Sequence, residues 1–222
     1  MEVTAAIAVG GLVSAIIFGV QLHEMKVATE LTRKSVDLSA DALTQTREAM
    51  IATQRPWLSI ETKIASPLVW KDGDLELQLR VSGKNTGLTP ALNARFFAIL
   101  DPKDGRKGTV VCDAARKNRS AMFGRIVFPG ESFETTETAE ASAVEVKAGL
   151  LKGGKYLAPS LTVCVDYRTA FDQPIHHQTY TTFNLYRERQ AAAENDLIDP
   201  QEGDVPAIDL RMSYVWGENS AD

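Results

Sequence analysis

The chain has 222 residues, 44% of them hydrophobic, and a formal net charge of −5. This length and apolar content suffice for one or two domains with a buried core, and the net acidity argues against a general nucleic-acid binder. The charge is uneven, because residues 190–222 hold eight acidic side chains and one arginine, whereas seven basic residues lie within 103–125. Such asymmetry is typical of solvated loops and tails, and it also occurs at partner surfaces.

An uncharged segment of 20 residues, Val3–Leu22, begins almost at the N-terminus. As a helix with a rise of about 1.5 Å per residue it would be about 30 Å long, which matches the hydrocarbon core of a bilayer. The segment lacks the polar face of a core helix, and Met1-Glu2 does not supply the basic start of a cleaved signal peptide. We therefore predict a retained transmembrane anchor over residues 1–22, with the lipid bilayer as its partner.

Small residues recur at every fourth position within this segment, at Gly11, Ala15 and Gly19. A stripe of small side chains lets two membrane helices approach closely, so it indicates packing of two spans and a homodimer. Gly and Ala are also common in membrane helices generally, which leaves a purely compositional origin open.

Residues 23–55 contain neither Gly nor Pro and are rich in strong helix formers. The helix is therefore expected to continue as a stalk until Pro56 stops it. Two weak apolar stripes run along it, one through Val27, Leu31, Leu38, Ala42, Ala49 and Ala52, the other through Val36, Leu43 and Met50. Polar residues interrupt them, which predicts weak pairing and no strong coiled coil; these are Lys34, Ser35, Asp41 and Gln45.

After Pro56 the hydrophobic period changes from 3.6 to 2, which indicates β-strands. The stretch "IVFPGESFETTE" predicts a strand, a Pro-Gly turn and a second strand. Further strands are predicted at Trp57–Ile64, Leu75–Ser82, Phe96–Leu100, Thr109–Cys112, Leu161–Arg168, His177–Tyr186 and Leu210–Trp216. A short helix is expected around Ala143–Leu151. The chain is thus expected to be mainly β, with an antiparallel Ig-like β-sandwich over residues 56–189 carried on the N-terminal helix. Residues 190–222 form an acidic extension that contains the last strand.

Three short stretches carry a resemblance to known proteins: "TQRPWLSIE", "NTGLTPALN" and "YRTAFDQPIHHQTYTTF". Together with the apolar helix and the polar stalk, the arrangement resembles a large group of bacterial membrane-anchored proteins that are mostly described as hypothetical. The group's pattern has Asp two residues after the late tyrosine, where this chain has Thr169. The resemblance implies an architecture and no activity. The corresponding residues are Gln54, Arg55, Trp57, Asn85, Gly87, Thr89, Pro90, Ala91, Tyr167, Phe171, His177, Thr179 and Phe183.

One late stretch holds possible metal ligands, at Asp166, Asp172, His176 and His177. Adjacent residues on a strand point to opposite faces, so the two histidines are not expected to ligate one ion. The chain has no G-x-S-x-G elbow, phosphate-binding loop, H-E-x-x-H or C-x-x-C motif. These patterns predict a non-enzymatic protein without a metal or cofactor.

A basic stretch between residues 103 and 125 is the candidate interaction patch. Phe123 is its only aromatic residue, so it lacks the stacking platform of a nucleic-acid binder, and anionic lipid headgroups fit it better. Solvated loops are the alternative. The basic residues are Lys103, Arg106, Lys107, Arg116, Lys117, Arg119 and Arg125.

These features predict a single-pass protein of the bacterial inner membrane that presents a β-sandwich to an unknown protein partner. The alternatives are an auxiliary subunit of a larger membrane complex, held through its transmembrane helix, and a domain that binds a small ligand or catalyses a reaction. Lys26, Arg33 and Lys34 follow the span, and the positive-inside rule then places the domain in the cytoplasm. The periplasm is the alternative, and the sequence leaves open whether Cys112 and Cys164 are bonded.

Overall fold

The computed structural model describes residues 2–103, 108–118, 123–151, 154–171, 175–188 and 197–221. Within these ranges it describes the side chains from residue 17 onward, except those of residues 52, 216 and 218–221. The chain divides into two units, Met1–Ala52 and Thr53–Asp222. The first is helical, and the second contains two antiparallel sheets.

Helix α1 (Glu2–Gln54) confirms the long N-terminal helix, and it ends just before Pro56. Over the part of the chain whose side chains are described, no helix is both long and apolar enough to cross a membrane. The predicted span Val3–Leu22 falls mostly outside that part, because its side chains are described only from Ile17 onward. The side chains of Gly11 and Ala15 likewise lie outside it.

The second unit contains short strands and helices that follow one another along the chain. They are β1 (Leu58–Ile64), β2 (Val69–Lys71), β3 (Asp74–Asn85), β4 (Ala91–Asp101), α2 (Gly108–Asn118), β5 (Arg125–Val127), β6 (Ser132–Ala141), α3 (Ala143–Gly149), β7 (Ser160–Arg168), β8 (His177–Arg187) and β9 (Leu210–Ala221). One sheet has β3 at its centre, with β1 and β2 along one edge and β6 along the other. The other sheet has the order β5-β4-β7-β8-β9, and all its pairs are antiparallel.

The larger of the two hydrophobic clusters in the described residues contains residues from both sheets. On β3, Leu75, Leu77, Leu79 and Val81 are buried, and the residues between them are polar and more accessible. This alternation follows from the period of two in a strand, so one face of the sheet covers the core and the other meets water. Each buried Leu or Val contributes about 1.5–3 kcal/mol relative to an exposed side chain. On β7, burial extends to both faces.

Helix α2 corrects one prediction, because Thr109–Cys112 was expected to be a strand and is helical. Gly108, Val111 and Cys112 are buried and stand three and four residues apart, which is the period of one helix face. This face packs on the outer side of the five-stranded sheet, over Cys164 and Tyr180. Cys164 was expected on a polar face, and it is buried because α2 covers that face.

Candidate functional sites

Asn85 organises the place where the chain enters the β domain. Its side chain is fully buried, and its Oδ1 accepts hydrogen bonds from the backbone N–H groups of Gly87 (3.0 Å) and Trp57 (3.3 Å). Its Nδ2 donates to the carbonyl oxygens of Thr89 (2.8 Å) and Val127 (3.0 Å). The amide therefore uses two donors and two acceptor positions, which is the full capacity of an asparagine side chain.

Further contacts connect the same loop and β7 to the entering chain. The Thr89 hydroxyl donates to the carbonyl oxygen of Gln54 at 2.6 Å, and the Tyr167 hydroxyl donates to that of Pro56 at 3.3 Å. The Arg55 guanidinium carbon lies 3.8 Å from the centre of the Trp57 ring, which is cation–π geometry. Most residues behind the resemblance thus meet in one cluster, which we call the entry cluster: Gln54, Arg55, Trp57, Asn85, Gly87, Thr89 and Tyr167.

Thr169, at the position where the resemblance expects an aspartate, stabilises its own turn. It is fully buried, and its Oγ1 accepts a hydrogen bond from the backbone N–H of Phe171 at 3.1 Å. A side-chain oxygen that caps the N–H two residues ahead is the bond that Asp also makes in such turns. Two further residues of the late stretch have ring contacts: His177 stacks on Tyr167 with ring centres 5.8 Å apart, and the ring centres of Phe183 and Tyr214 lie 4.9 Å apart.

Gly87→Ala is expected to destabilise the β domain by about 1–3 kcal/mol, because a methyl group at this position would overlap the backbone of Arg55 and Trp57. Thermal unfolding of the detergent-purified chain measures the effect. Leu88→Ala is the matched control, since Leu88 lies in the same loop and is 71% exposed. Equal melting temperatures for the two variants would contradict the close approach.

A second cluster forms on the outer face of the five-stranded sheet. Arg95 on β4 lies directly opposite Asp166 on β7, and its Nη2 is 2.6 Å from Asp166 Oδ2. The exposed fractions of these two side chains are 6% and 2%, so the ion pair is buried. His176 Nδ1 lies 2.9 Å and 3.1 Å from the two oxygens of Asp166. Arg168 Nε and Nη2 lie 3.1 Å and 2.9 Å from His176 Nε2.

Arg168 sets which ring nitrogen of His176 accepts a hydrogen bond and which one donates. Arginine has donors and no acceptor, so His176 Nε2 must accept, and His176 Nδ1–H must donate to Asp166. A general base would need the lone pair on Nε2, and Arg168 occupies it. The geometry therefore suits a structural role, in which hydrogen bonds hold His176 against the end of β7. His177 lies on the other face, as expected, while Asp172 lies outside the described residues.

Metal ligation has no candidate in the described part of the chain, where no group of His, Cys, Asp and Glu side chains lies close enough to hold an ion. The sequence placed Asp166 and His176 near each other, but it did not indicate Arg95, which is 71 residues from Asp166 along the chain. Only the register of β4 against β7 reveals that partner. The available signal in the sequence was one arginine, Arg95, within an otherwise mostly apolar strand.

A disulfide bond joins Cys112 on α2 to Cys164 on β7, with the two Cα atoms 5.9 Å apart. This answers the question that the sequence left open. The bond lies among Phe97, Tyr180 and the apolar face of α2, and both cysteines are buried. It fixes the helix on the outer face of the sheet.

The four described basic residues between 103 and 125 are Lys103, Arg116, Lys117 and Arg125, and they do not form one patch. Lys103 follows the end of β4, whereas Arg125 pairs with Ala94 near its beginning, which is roughly 23 Å away along the strand. Arg116 and Arg125 form ion pairs with Asp113 (3.0 Å) and Glu131 (3.4 Å). Lys117 is exposed on the last turn of α2. Arg106, Lys107 and Arg119 lie outside the described residues.

Exposed apolar side chains lie on and beside strand β5, and the sequence did not indicate that they form a group. Phe123 is 100% exposed, and Ile126 and Phe128 are 50% and 57% exposed. β5 is the terminal strand of its sheet, and it contacts the loop that holds the exposed Leu88, because Asn85 binds both Thr89 and Val127. We call Leu88, Phe123, Ile126 and Phe128 the β5 edge.

Comparison with known proteins adds no relative: no protein family, no curated protein and no solved structure matches this chain. The function of the protein must therefore be inferred from the geometry of its clusters. Within the entry cluster, and likewise within the Asp166 cluster, the polar groups bond to one another. The apolar side chains of the β5 edge face solvent instead.

Proposed function

We propose that this chain is a single-pass membrane-anchored, non-enzymatic interaction protein whose β domain presents the β5 edge to a partner protein. The exposed aromatic residues of that edge carry the proposal. Large apolar side chains beside an open strand edge favour association, because their burial removes them from water and pairs the backbone groups of the edge. The proposed occupant is an extended segment of the partner that adds to β5 and covers Ile126 and Phe128.

Anchorage and fold class are part of the same proposal. The uncharged segment Val3–Leu22 has the length and composition of a membrane span.

The distribution of the strands between the two sheets supports an Ig-like domain. In one sheet β1, β3 and β6 correspond in order to strands A, B and E, and in the other β4, β7 and β8 correspond to C, F and G. In this interpretation β5 takes the place of the additional strand C′ beside C.

Loss of the apolar edge is expected to abolish partner capture. Phe123→Ser combined with Phe128→Ser should reduce the partner recovered with the detergent-solubilised chain roughly tenfold or more, since exposed aromatic anchors dominate such contacts. The control combines Val144→Ser with Ile208→Ser, which are both 77% exposed elsewhere on the domain. Equal recovery with both pairs would refute the β5 edge as the contact.

An exchange of the membrane helix separates this proposal from the auxiliary-subunit alternative. With Val3–Leu22 replaced by an unrelated apolar span, the association should persist, because the β domain makes the contact. An auxiliary subunit held through its own membrane helix would lose its partner in the same experiment.

We also propose that the β domain lies outside the cytoplasm, in the periplasm. The support is the disulfide, because such bonds persist in oxidising compartments and are rare in a reducing cytoplasm. The basic residues after the span, Lys26, Arg33 and Lys34, favour the opposite side through the positive-inside rule. We weigh the disulfide more heavily, since it joins two cysteines within the apolar contact between α2 and the sheet.

Thiol labelling of intact cells tests the orientation. The native cysteines are paired, so a single thiol is introduced as Val144→Cys at an exposed position of α3. A membrane-impermeant maleimide should label this variant before lysis. Labelling that requires lysis would place the domain in the cytoplasm, and labelling of the unsubstituted chain serves as the background.

A further inference from the structure

Helix α1 exposes every described residue from Ile17 to Met50. A helix whose side chains are all exposed gains no stability from packing within its own chain, so it depends on the strong helix formers in its sequence. Exposed large side chains on it include Met25, Val36 and Leu43. These side chains are available for contact with a second helix.

Two columns of residues run side by side along α1, each with a period of seven. The first contains Leu22, Thr29, Val36, Leu43 and Met50, and the second contains Met25, Thr32, Ser39 and Thr46. Taken together they alternate spacings of three and four residues, which is the geometry of positions a and d of a coiled coil. The polar residues that interrupt the stripes seen in the sequence, such as Lys34 and Asp41, lie off these columns.

The hydroxyl groups in these columns are already satisfied within the helix. Thr32 donates to the carbonyl oxygen of Ala28 at 2.8 Å, Ser39 to that of Ser35 at 2.7 Å, and Thr46 to that of Ala42 at 2.7 Å. Thr29 does the same with Met25 at 2.7 Å. Removing these residues from water therefore leaves no unpaired donor, and the threonines can present their methyl groups to a partner.

The residues beside the columns select the direction of pairing. Lys26, Arg33 and Arg47 each follow a residue of the second column, and small neutral residues such as Ala28 and Ala42 precede the first. In an antiparallel pair the basic flanks would face each other, and like charges repel. In a parallel pair each basic flank faces the small neutral flank of the other helix, so the parallel arrangement avoids this repulsion.

We propose that two copies of this chain pair in parallel and in register along these two columns, which we call the stalk seam. The seam is narrow, because small hydroxyl-bearing residues alternate with Val36, Leu43 and Met50. Pairing along it covers the apolar column and leaves the charged residues of the opposite face in water. Such pairing depends neither on the β5 edge nor on the side of the membrane.

Oxidative cross-linking of the full chain in membranes tests the register. In a parallel pair, residues of the second column face their own counterparts, so Ser39→Cys should cross-link at least tenfold more than Asp41→Cys, whose thiol points away. Equal cross-linking at the two positions, or none at Ser39→Cys, would overturn the seam.

Charge substitutions test the seam independently. Val36→Glu combined with Leu43→Glu should abolish the Ser39→Cys cross-link. Leu31→Glu combined with Leu38→Glu, which are equally exposed but lie off the seam, should leave it unchanged. Ala15→Leu combined with Gly19→Leu alters the membrane span instead; a cross-link that is lost in this variant and kept in Val36→Glu, Leu43→Glu would assign the pairing to the span and overturn the proposal. Partner capture by the β5 edge is scored separately, so the two proposals fail separately.

Discussion

Replacement of Asp166 by alanine is expected to lower the free energy of unfolding of the β domain by about 3–5 kcal/mol. Its carboxylate is the ion-pair partner of Arg95, whose side chain is almost completely buried. The substitution leaves the guanidinium group in the interior without a counter-charge, and it also removes the acceptor that holds His176 Nδ1–H. Urea unfolding of the detergent-purified chain, followed by tryptophan fluorescence, measures the loss.

A surface ion pair of the same domain provides the control. Arg80 Nε lies 3.4 Å from Glu134 Oε1, and the two side chains are 60% and 64% exposed. Arg80→Ala should therefore change the unfolding free energy by less than about 1 kcal/mol. Similar losses for Arg80→Ala and Asp166→Ala would show that burial of the Arg95–Asp166 pair has no energetic consequence.

Removal of the disulfide, with both cysteines replaced by alanine, is expected to cost about 4 kcal/mol of stability. The bond closes a loop between residues that are 52 positions apart, and a cross-link of this span restricts the unfolded chain strongly. It is also the covalent link between α2 and the sheet, so the helix should detach first. Urea unfolding with and without a reductant measures the effect.

The double-alanine variant contains its own control for the reductant. A reductant should destabilise the natural chain and leave the Cys112→Ala, Cys164→Ala variant unchanged, because the variant has no disulfide to reduce. A natural chain whose unfolding midpoint does not respond to reduction would contradict a stabilising bond. Alanine is preferred to serine because a buried hydroxyl would add a desolvation cost of its own.

The sequence correctly predicted those elements whose hydrophobic period or composition follows one local rule. The alternation on β3 and the long run without Gly or Pro in α1 each reflect one local rule, and both elements are present. Residues 109–112 were misassigned because a short apolar run fits a strand as well as one turn of a helix. The deciding fact is tertiary, since α2 packs its buried face on the outer side of the sheet.

The candidate sites were likewise only partly predictable from the sequence. The motifs around Trp57 and Asn85 were visible in the sequence, but their convergence depends on bonds between residues up to 111 positions apart. The partner of Asp166 depends on the strand register, which the alternation of β4 does not specify. The strands on both sides of Pro129-Gly130 were predicted and are present as β5 and β6, but β5 has three residues, too few for a period to show which side chains are exposed.

The entry cluster has a mechanical consequence. Tension that travels along the chain from the N-terminal helix reaches the β domain at Trp57, next to the first residue of β1. Because Leu58 pairs with Asn85 at that end of the ladder, such a load would otherwise separate β1 from β3 one bond at a time. Thr89, Tyr167 and Asn85 hold Gln54, Pro56 and Trp57 just before this point, so these three bonds bear the load before the unzipping begins. Asn85, which looks like a loop residue in the sequence, thus protects the β1–β3 ladder from tension applied through the N-terminal helix.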